Sequence, residues 1–170
     1  VCAAADLIGT SRVVLFGSSC MYPKECPQPM SEEMLGTGKL EPTSLSYATA
    51  KIAGLQLGFS YNQQHGIDRF LCVIPNSAYG PGDNFDPQSG HVLSSLIHKF
   101  HLAKASSAEQ VELWGTGMPK REFVFSADIA DALLFMLQEG VKTDDMPINI
   151  GTGVDISISD LAKQIAAVVG

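Results

Sequence analysis

The sequence predicts an α/β fold with a largely parallel sheet, and two observations support this prediction. Two short apolar runs, RVVLF at residues 12–16 and RFLCVI at residues 69–74, are ended by Gly17 and Pro75. Such runs are typical of strands that are buried on both faces of a parallel sheet. Stretches with helical spacing alternate with these runs, and this alternation of strands and helices indicates an α/β fold.

The longest predicted helix covers residues 44–65. Ser44 is suited to cap its start, and Gly66 follows its end. Four apolar residues recur at helical spacing and are expected to face the core: Ala48, Ile52, Leu55 and Phe59.

The remaining elements are shorter. Residues 22–42 and 76–90 are rich in proline, glycine and polar residues, which favours long irregular loops. Residues 1–7 have the pattern of the end of an amphipathic helix, and a capping-box pattern at Ser157 and Asp160 precedes the last helix. Further helices are predicted over residues 91–103, 127–140 and 161–169, and short strands over 111–114, 122–125 and 148–150.

The composition argues against several classes of partner. The chain has 170 residues and a formal net charge of -7, and no basic stripe is visible, so we expect no nucleic-acid binding. No apolar run has the length of a membrane span, and no secretory signal is recognisable, so no membrane association is expected. In such an acidic chain the cations that meet an anionic ligand must be local, which draws attention to Lys51, Lys99, Lys120 and Arg121.

The cysteines and histidines do not suggest a metal site. Four scattered cysteines form no CxxC pair, which argues against structural zinc and favours reduced thiols in a cytoplasmic protein. His91, His98 and His101 share one side of a predicted helix, but no carboxylate or cysteine accompanies them. We therefore predict no metal.

The most informative motif is YATAK, in which Tyr47 and Lys51 are four residues apart on the predicted helix. This spacing places both side chains on one helical face, and an ammonium near a phenol favours the phenolate form needed for acid/base work. The spacing alone is common by chance. Ser18 strengthens it, because this serine follows the carboxyl end of a predicted parallel strand, where open α/β sheets place their ligands.

Several motifs in register carry a resemblance to a known family. The motifs GSSCMYP, SYATAK and IPNSAYGPGDNF resemble the extended short-chain dehydrogenase/reductases. Within that family, the cysteine of GSSCMYP and the stretches GPGDNFDPQSGHV and WGTGMPKREF are similar to the GDP-L-fucose synthases. The resemblance implies a partial Rossmann-like, doubly wound parallel sheet with part of a small C-terminal substrate domain. Residues 1–80 would be the C-terminal half of the NADP-binding domain with the catalytic helix, and residues 81–170 the substrate-binding region interleaved with the last strands and helices.

The resemblance also implies an activity and its residues. GDP-4-keto-6-deoxy-D-mannose would be epimerised at C3 and C5 and then reduced by NADPH at the 4-keto group, which gives GDP-L-fucose. Tyr47 would be the general acid, Lys51 would bind the nicotinamide ribose, and Ser18 would complete the triad. Cys20 and His91 would be the acid/base pair for epimerisation, since a thiol and an imidazole can both titrate near neutrality.

Further residues are implied in binding. Three residues match positions that contact the GDP-sugar in the family: Lys99, Trp114 and Arg121. The positions that match the nicotinamide half of the cofactor site are Phe16, Gly17, Ser18, Ser19, Tyr47, Lys51, Pro75, Asn76, Ser77, Ala78 and His91. A homodimer of the full-length protein is implied as well, with the helix over residues 44–65 as the candidate interface.

The sequence departs from the family in three places. Ser77 stands where the family commonly has Asn, and Lys99 stands where it often has Arg, which keeps the charge but loses the fork. No glycine-rich pyrophosphate turn is recognisable near the start of the chain, so we expect on the order of 80 to 100 preceding residues in the parent protein. The isolated chain is therefore expected to be inactive.

Alternatives remain open at this point. Another extended short-chain nucleotide-sugar epimerase or dehydratase is possible, as is a non-catalytic Rossmann-like dimerisation fragment. Cys20 could be a small buried residue, His91 a helix-start residue without a catalytic role, and Trp114 a core residue.

Overall fold

The computed structural model describes all residues from 1 to 170 and divides the chain into two compact units. The first unit comprises Val1–Asn76 and Asp128–Ile150, and the second comprises Ser77–Ala127 and Gly151–Gly170. The division into residues 1–80 and 81–170, which is functional rather than geometric, stays a prediction.

The first unit is built on a three-stranded parallel sheet in the order β1-β2-β5, with β1 at Val13–Phe16, β2 at Phe70–Pro75 and β5 at Ile148–Ile150. Strand β1 pairs with β2 from Val13 opposite Phe70 to Phe16 opposite Val73. Helix α1 (Cys2–Leu7) precedes β1, and helix α2 (Leu45–His65) connects β1 to β2. The strand–helix–strand prediction is confirmed for this part of the chain.

The two strands predicted to be fully buried differ. In β2 the residues Phe70 to Ile74 are all buried, as the apolar run predicts. Strand β1 is only half-buried, and its last residue Phe16 is 42% exposed. The reason is position, because β2 is the central strand whereas β1 lies at the edge of the sheet.

Helix α2 packs one face on this sheet. Ala48, Leu55 and Phe59 are buried and Ile52 packs beside them, so the predicted apolar face is confirmed. The helix ends at Gly66, which adopts a left-handed conformation with φ of 61° that glycine tolerates without strain. Ser44 occupies the N-cap position but makes no capping hydrogen bond with its side chain, so that expectation is wrong.

The second unit is a three-stranded mixed sheet with two packed helices. Strand β4 (Lys120–Phe125) lies between β3 (Ser77–Tyr79), which is parallel to it, and β6 (Asp155–Ser157), which is antiparallel. Helices α3 (Val92–Ala105) and α5 (Ile158–Val169) pack together around buried leucine and isoleucine side chains. Ser157 caps α5 by accepting a hydrogen bond from the backbone N–H of Asp160 at 3.0 Å, which confirms the predicted cap.

Helix α4 (Ser126–Gln138) follows β4, and most of it belongs to the first unit. The strand predicted over residues 111–114 is absent, and this stretch belongs to neither sheet. Strands β3 and β6 were missed, since both are three-residue strands within sequence that is rich in turn formers. No helix is long and apolar enough to cross a membrane.

Candidate active site

The carboxyl end of β1 is closely packed at Gly17. A Cβ atom at this position would lie 2.9 Å from Ile74 Cγ1, 2.9 Å from Met21 Sδ and 3.0 Å from Leu55 Cδ1. The backbone N–H of Gly17 also donates to the carbonyl of Val73 at 2.7 Å and so continues the pairing of the strands. The strand end is therefore tightly packed around Gly17, and an added methyl group would force neighbouring side chains to shift.

Lys51 reaches the same strand end from helix α2. Its Nζ donates a hydrogen bond to the backbone carbonyl of Phe16 at 2.9 Å. Leu55, one turn further along the helix, is the residue that contacts the Gly17 site, so the lysine and this contact share one helical face. The helix is therefore joined to the end of β1 by both a charge-assisted hydrogen bond and apolar packing.

Tyr47 precedes Lys51 by one turn and lies near its ammonium. Lys51 Nζ is 5.6 Å from the centroid of the Tyr47 ring, as the spacing on one helical face predicts. The Tyr47 side chain is 51% exposed, and its hydroxyl makes no hydrogen bond within the protein. A ligand at this surface can therefore reach the phenol.

Ser18 and Cys20 lie in the turn that follows β1. Ser18 is the N-cap of a 3-10 turn at Ser19–Met21, and its Oγ accepts from the backbone N–H of Cys20 at 3.3 Å. The hydroxyl proton of Ser18 is not used in this bond, so it remains available to donate. The Cys20 side chain is half-buried, so it is not the fully buried packing residue that the alternative interpretation required.

A partly buried polar cluster anchors this turn, and sequence reasoning missed it. The Tyr22 hydroxyl donates to Asn149 Oδ1 at 2.7 Å, while the Tyr22 side chain is buried in the core below the turn. Asn149 also donates from its backbone N–H to Glu32 Oε1 at 2.8 Å and from Nδ2 to the Met30 carbonyl at 3.3 Å. Burial raises the pKa of Tyr22 to about 12, partly offset by the hydrogen bond to Asn149. One asparagine in β5 thus ties two parts of the long loop to the sheet.

The predicted cofactor residues of the first unit cluster at one edge of the sheet. Because β1 and β2 are parallel and adjacent, Phe16, Ser18 and Ser19 follow one strand end while Pro75 and Asn76 close the next. The Asn76 backbone N–H donates to the Ile150 carbonyl at 2.9 Å. A half-exposed aromatic, a free hydroxyl proton and a lysine at one strand end fit the nicotinamide–ribose half of a dinucleotide. Ser77 and Ala78 begin β3 in the second unit.

In the second unit, His91 stands at the start of helix α3. It occupies the N-cap position, its side chain is exposed, and it makes no capping hydrogen bond. The Asp83 carboxylate lies at the same helix end, where it accepts from the Ser94 hydroxyl and from the backbone N–H of Asn84 at 2.7 Å. The Ser94 bond holds the pKa of Asp83 below its ordinary value, and the Asn84 bond and the nearby charge of His91 act in the same direction. Asp83 is therefore the carboxylate whose charge interacts with that of His91.

Lys99 and Trp114 lie together at a cavity of about 390 Å³. Lys99 Nζ lies 4.1 Å from the centroid of the indole ring, which is the geometry of a cation–π contact. Trp114 is 68% exposed, so the interpretation of this residue as part of the core is wrong. Arg121 does not line this cavity; it lies on β4, where its Nη1 donates to the carbonyl of Lys120 at 2.8 Å.

The other cysteines and the histidines have no shared site. All four cysteines are free; Cys2 and Cys72 are buried in the core, and Cys26 packs against it. Burial raises the pKa of the Cys72 thiol to about 12. No group of three or more histidine, cysteine, aspartate or glutamate residues could hold a metal ion. His98 instead contacts the Phe85 carbonyl through Nδ1 at 2.6 Å.

Comparison with known proteins shows the family to which the chain belongs. Residues 1–151 match the NAD dependent epimerase/dehydratase family. A probable GDP-L-fucose synthase 1 of Oryza sativa subsp. japonica is 46% identical over 168 residues, which are 98% of this chain and 50% of the relative. The GDP-L-fucose synthase of Escherichia coli K12 is 44% identical over 174 residues, 98% of this chain and 54% of the relative. The crystal structure of a GDP-L-fucose synthetase from Naegleria fowleri bound to NADP superposes with a TM-score of 0.86 at 29% identity, over 97% of this chain and 52% of that one.

The chain belongs to the NAD dependent epimerase/dehydratase family, whose match covers most of its length. It spans about half the length of the curated relatives that it matches.

Proposed function

We propose that this chain carries the catalytic residues of an NADP-dependent epimerase/reductase that converts GDP-4-keto-6-deoxy-D-mannose to GDP-L-fucose. The observation that carries the proposal is the 2.9 Å hydrogen bond from Lys51 to the carbonyl of Phe16. It brings the YxxxK helix to the strand end that bears Ser18, and a serine, a tyrosine and a lysine at one strand end are what carbonyl reduction requires. The relatives named GDP-L-fucose synthase, at 44% and 46% identity, support the choice of substrate.

Epimerisation in this proposal precedes reduction. The C–H bonds at C3 and C5 flank the ketone and are acidified by it, so a base can remove either proton. Ser18 and Tyr47 hydrogen-bond to the oxygen of the resulting enolate and stabilise its charge. Cys20 and His91 serve as the acid/base pair, because inversion requires a base and an acid on opposite faces of the ring.

Reduction then uses Tyr47 as the general acid. NADPH, when bound, supplies the hydride that reaches C4. Tyr47 donates its phenolic proton to the carbonyl oxygen, and Lys51 holds the nicotinamide ribose and favours loss of that proton by stabilising the phenolate. The remaining residues proposed at the nicotinamide are those of the two strand ends, together with Ser77, Ala78 and His91.

The GDP part of the substrate is proposed to bind in the second unit. Lys99 and Trp114 supply a cation and an exposed indole at the cavity of about 390 Å³, a volume within the range of small-molecule sites. Arg121 is proposed to bind the diphosphate through its planar fork of donors, after releasing the Lys120 carbonyl.

A chimeric protein provides the test. In the Escherichia coli relative, the 174 aligned residues would be replaced by this chain, which gives a protein of the relatives' length. We expect NADPH oxidation with GDP-4-keto-6-deoxy-D-mannose and entry of solvent deuterium at C3 and C5. Deuterium entry should be lost on Cys20→Ser or His91→Ala, and NADPH oxidation on Tyr47→Phe. The 170-residue chain alone is the matched control and is expected to be inactive.

The same measurement separates the alternatives. A simple reductase or 4-epimerase would give turnover without deuterium at C3 and C5, and a folded chimera without any turnover would favour a non-catalytic dimerisation fragment.

A homodimer through α2 is proposed on the exposed Leu45 and Leu57 of that helix, each 50% exposed. A cytoplasmic location stays a prediction, consistent with four free thiols.

A further inference from the structure

The cavity beside Trp114 contains a carboxylate that nothing in the protein uses. Its lining includes apolar side chains such as Leu102 and Val111, together with Lys99 and Glu112. Glu112 forms no ion pair and no hydrogen bond through its side chain, so its oxygens keep their full capacity to accept hydrogen bonds. In a chain of net charge -7, an unpaired carboxylate repels a phosphate group, but it readily accepts hydrogen bonds from a neutral donor.

This carboxylate belongs to the same cavity as the indole. Glu112 and Trp114 are exposed, whereas Val111 and Leu113 are half-buried. Glu112 and Trp114 both line the cavity, where Lys99 covers part of the indole.

We infer that Glu112 reads the base of the nucleotide and selects guanine. Guanine presents two adjacent donors, N1–H and N2–H₂, and a carboxylate can accept both at once. The neighbouring O6 is an acceptor suited to the ammonium of Lys99. Uracil has one such donor flanked by carbonyl oxygens that the carboxylate repels, and adenine has an acceptor at N1. This inference rests on the proposed function for the presence of a nucleotide in the cavity, and it adds the residue that chooses the base.

The only tryptophan of the chain provides a direct reporter, because Trp114 is itself part of this cavity. We would titrate the 170-residue chain with GDP, IDP, ADP and UDP and follow Trp114 emission, with equilibrium dialysis as a second measure. IDP is the sharpest comparison, since it lacks only the N2 amine of GDP. One hydrogen bond to a charged group corresponds to about a tenfold change in affinity, so GDP is expected to bind about tenfold tighter than IDP.

Two variants complete the test. Glu112→Gln should weaken GDP about tenfold and bring GDP and IDP to equal affinity. Glu109→Gln is the matched control, because it removes the same charge from an exposed residue of the same stretch that does not line the cavity. It should leave both affinities within about twofold.

The outcomes that overturn the inference are distinct from those that overturn the proposed function. Equal binding of GDP and IDP by the unmodified chain, or a GDP preference that survives Glu112→Gln, would overturn the reading of the base but leave turnover by the chimera untouched. Absence of binding by emission and dialysis at millimolar nucleotide would also overturn it. Conversely, an inactive chimera together with a Glu112-dependent GDP preference would refute the enzyme and keep the base site.

Discussion

Two lysines of this acidic chain are held in different ways. Lys51, in helix α2 of the first unit, donates to the backbone carbonyl of Phe16 at 2.9 Å. Lys99, in helix α3 of the second unit, lies 4.1 Å from the centroid of the exposed Trp114 ring. The first lysine is fixed by main chain that belongs to the sheet, and the second by a side chain at the edge of a cavity.

The difference shows what each lysine can do. A carbonyl at a strand end does not move without disturbing the sheet, so Lys51 is positioned in advance, as a catalytic group must be. An indole that is 68% exposed can reorient, so Lys99 can adapt to a ligand that enters the cavity. We expect chemistry at the first lysine and recognition at the second.

The largest effect on stability is expected from Gly17→Ala, which disturbs the packing around the strand end that Lys51 contacts. The added Cβ would lie within 3.0 Å of side-chain atoms of Ile74, Met21 and Leu55. Overpacking of this kind costs about 1 to 3 kcal/mol, which urea unfolding monitored by circular dichroism would measure.

Gly54→Ala is the matched control for that substitution. Gly54 lies within α2 and no atom would approach its Cβ within 4 Å. The same added methyl group should therefore stabilise the helix, by about 0.5 to 1 kcal/mol. Equal effects at the two glycines would show that the strand end is not tightly packed.

The rigid site was also the more predictable one. Residues 12–16 and the YxxxK helix could be assigned from local pattern, because strand ends and helical spacing depend on nearby residues. Parallel pairing then brings Ser18 and Lys51 to one edge without further information. The half-exposure of β1 could not be foreseen, since it depends on which strands of this chain pair with one another, and β1 pairs only with β2.

The next largest effect on stability is expected from loss of the hydrogen bond between Tyr22 and Asn149, below the turn that carries Ser18 and Cys20. Tyr22→Phe would leave Asn149 Oδ1 without its hydrogen-bond donor in a partly buried place, at a cost of about 1 kcal/mol near neutral pH. Burial raises the Tyr22 pKa from 10.0 to about 12. The unfolded chain therefore loses this proton first as the pH rises, so the stability contributed by burying the neutral phenol is present below pH 10 and is lost towards pH 12.

Urea unfolding from pH 8 to pH 11 would test whether the stability contributed by Tyr22 falls as the pH rises. The unmodified chain should lose stability more steeply above pH 10 than Tyr22→Phe, so the difference between them should narrow. Curves that remain parallel over this range would contradict the assigned cause. Cys72, whose pKa is also raised to about 12, contributes a slope of the same sign to both proteins.

The anchor illustrates a class of feature that the sequence does not reveal. Tyr22 and Asn149 are 127 positions apart, and neither has a spacing that marks it. The same holds for Lys99 and Trp114, where chemistry suggested a ligand site but left a core position equally open for the indole. Contacts between side chains that are distant in sequence depend on tertiary packing, so the local sequence pattern does not predict them.

A smaller effect is expected from Lys51→Met, which removes the hydrogen bond to Phe16 but keeps much of the side chain. The carbonyl is close to solvent and can bind water instead, so the loss of stability should be about 0.5 to 1 kcal/mol. Lys39→Met is the charge-matched control, because its exposed side chain makes no hydrogen bond or ion pair that would be lost. If the two variants unfold at the same urea concentration, the strand end does not hold Lys51 in solution.

The smallest effect on stability is expected from Lys99→Met, since a cation–π contact at an exposed site contributes about 0.5 kcal/mol. Its spectroscopic effect should be larger, because removal of a charge 4.1 Å from the ring centroid changes the field at the only indole of the chain. A shift of the Trp114 emission maximum, with unfolding nearly unchanged and with no shift in Lys39→Met, is the expected result. An unshifted maximum would mean that Lys99 does not contact the indole in solution. The claim that Lys99 is held by Trp114, in contrast to Lys51 at the strand end, would then be refuted.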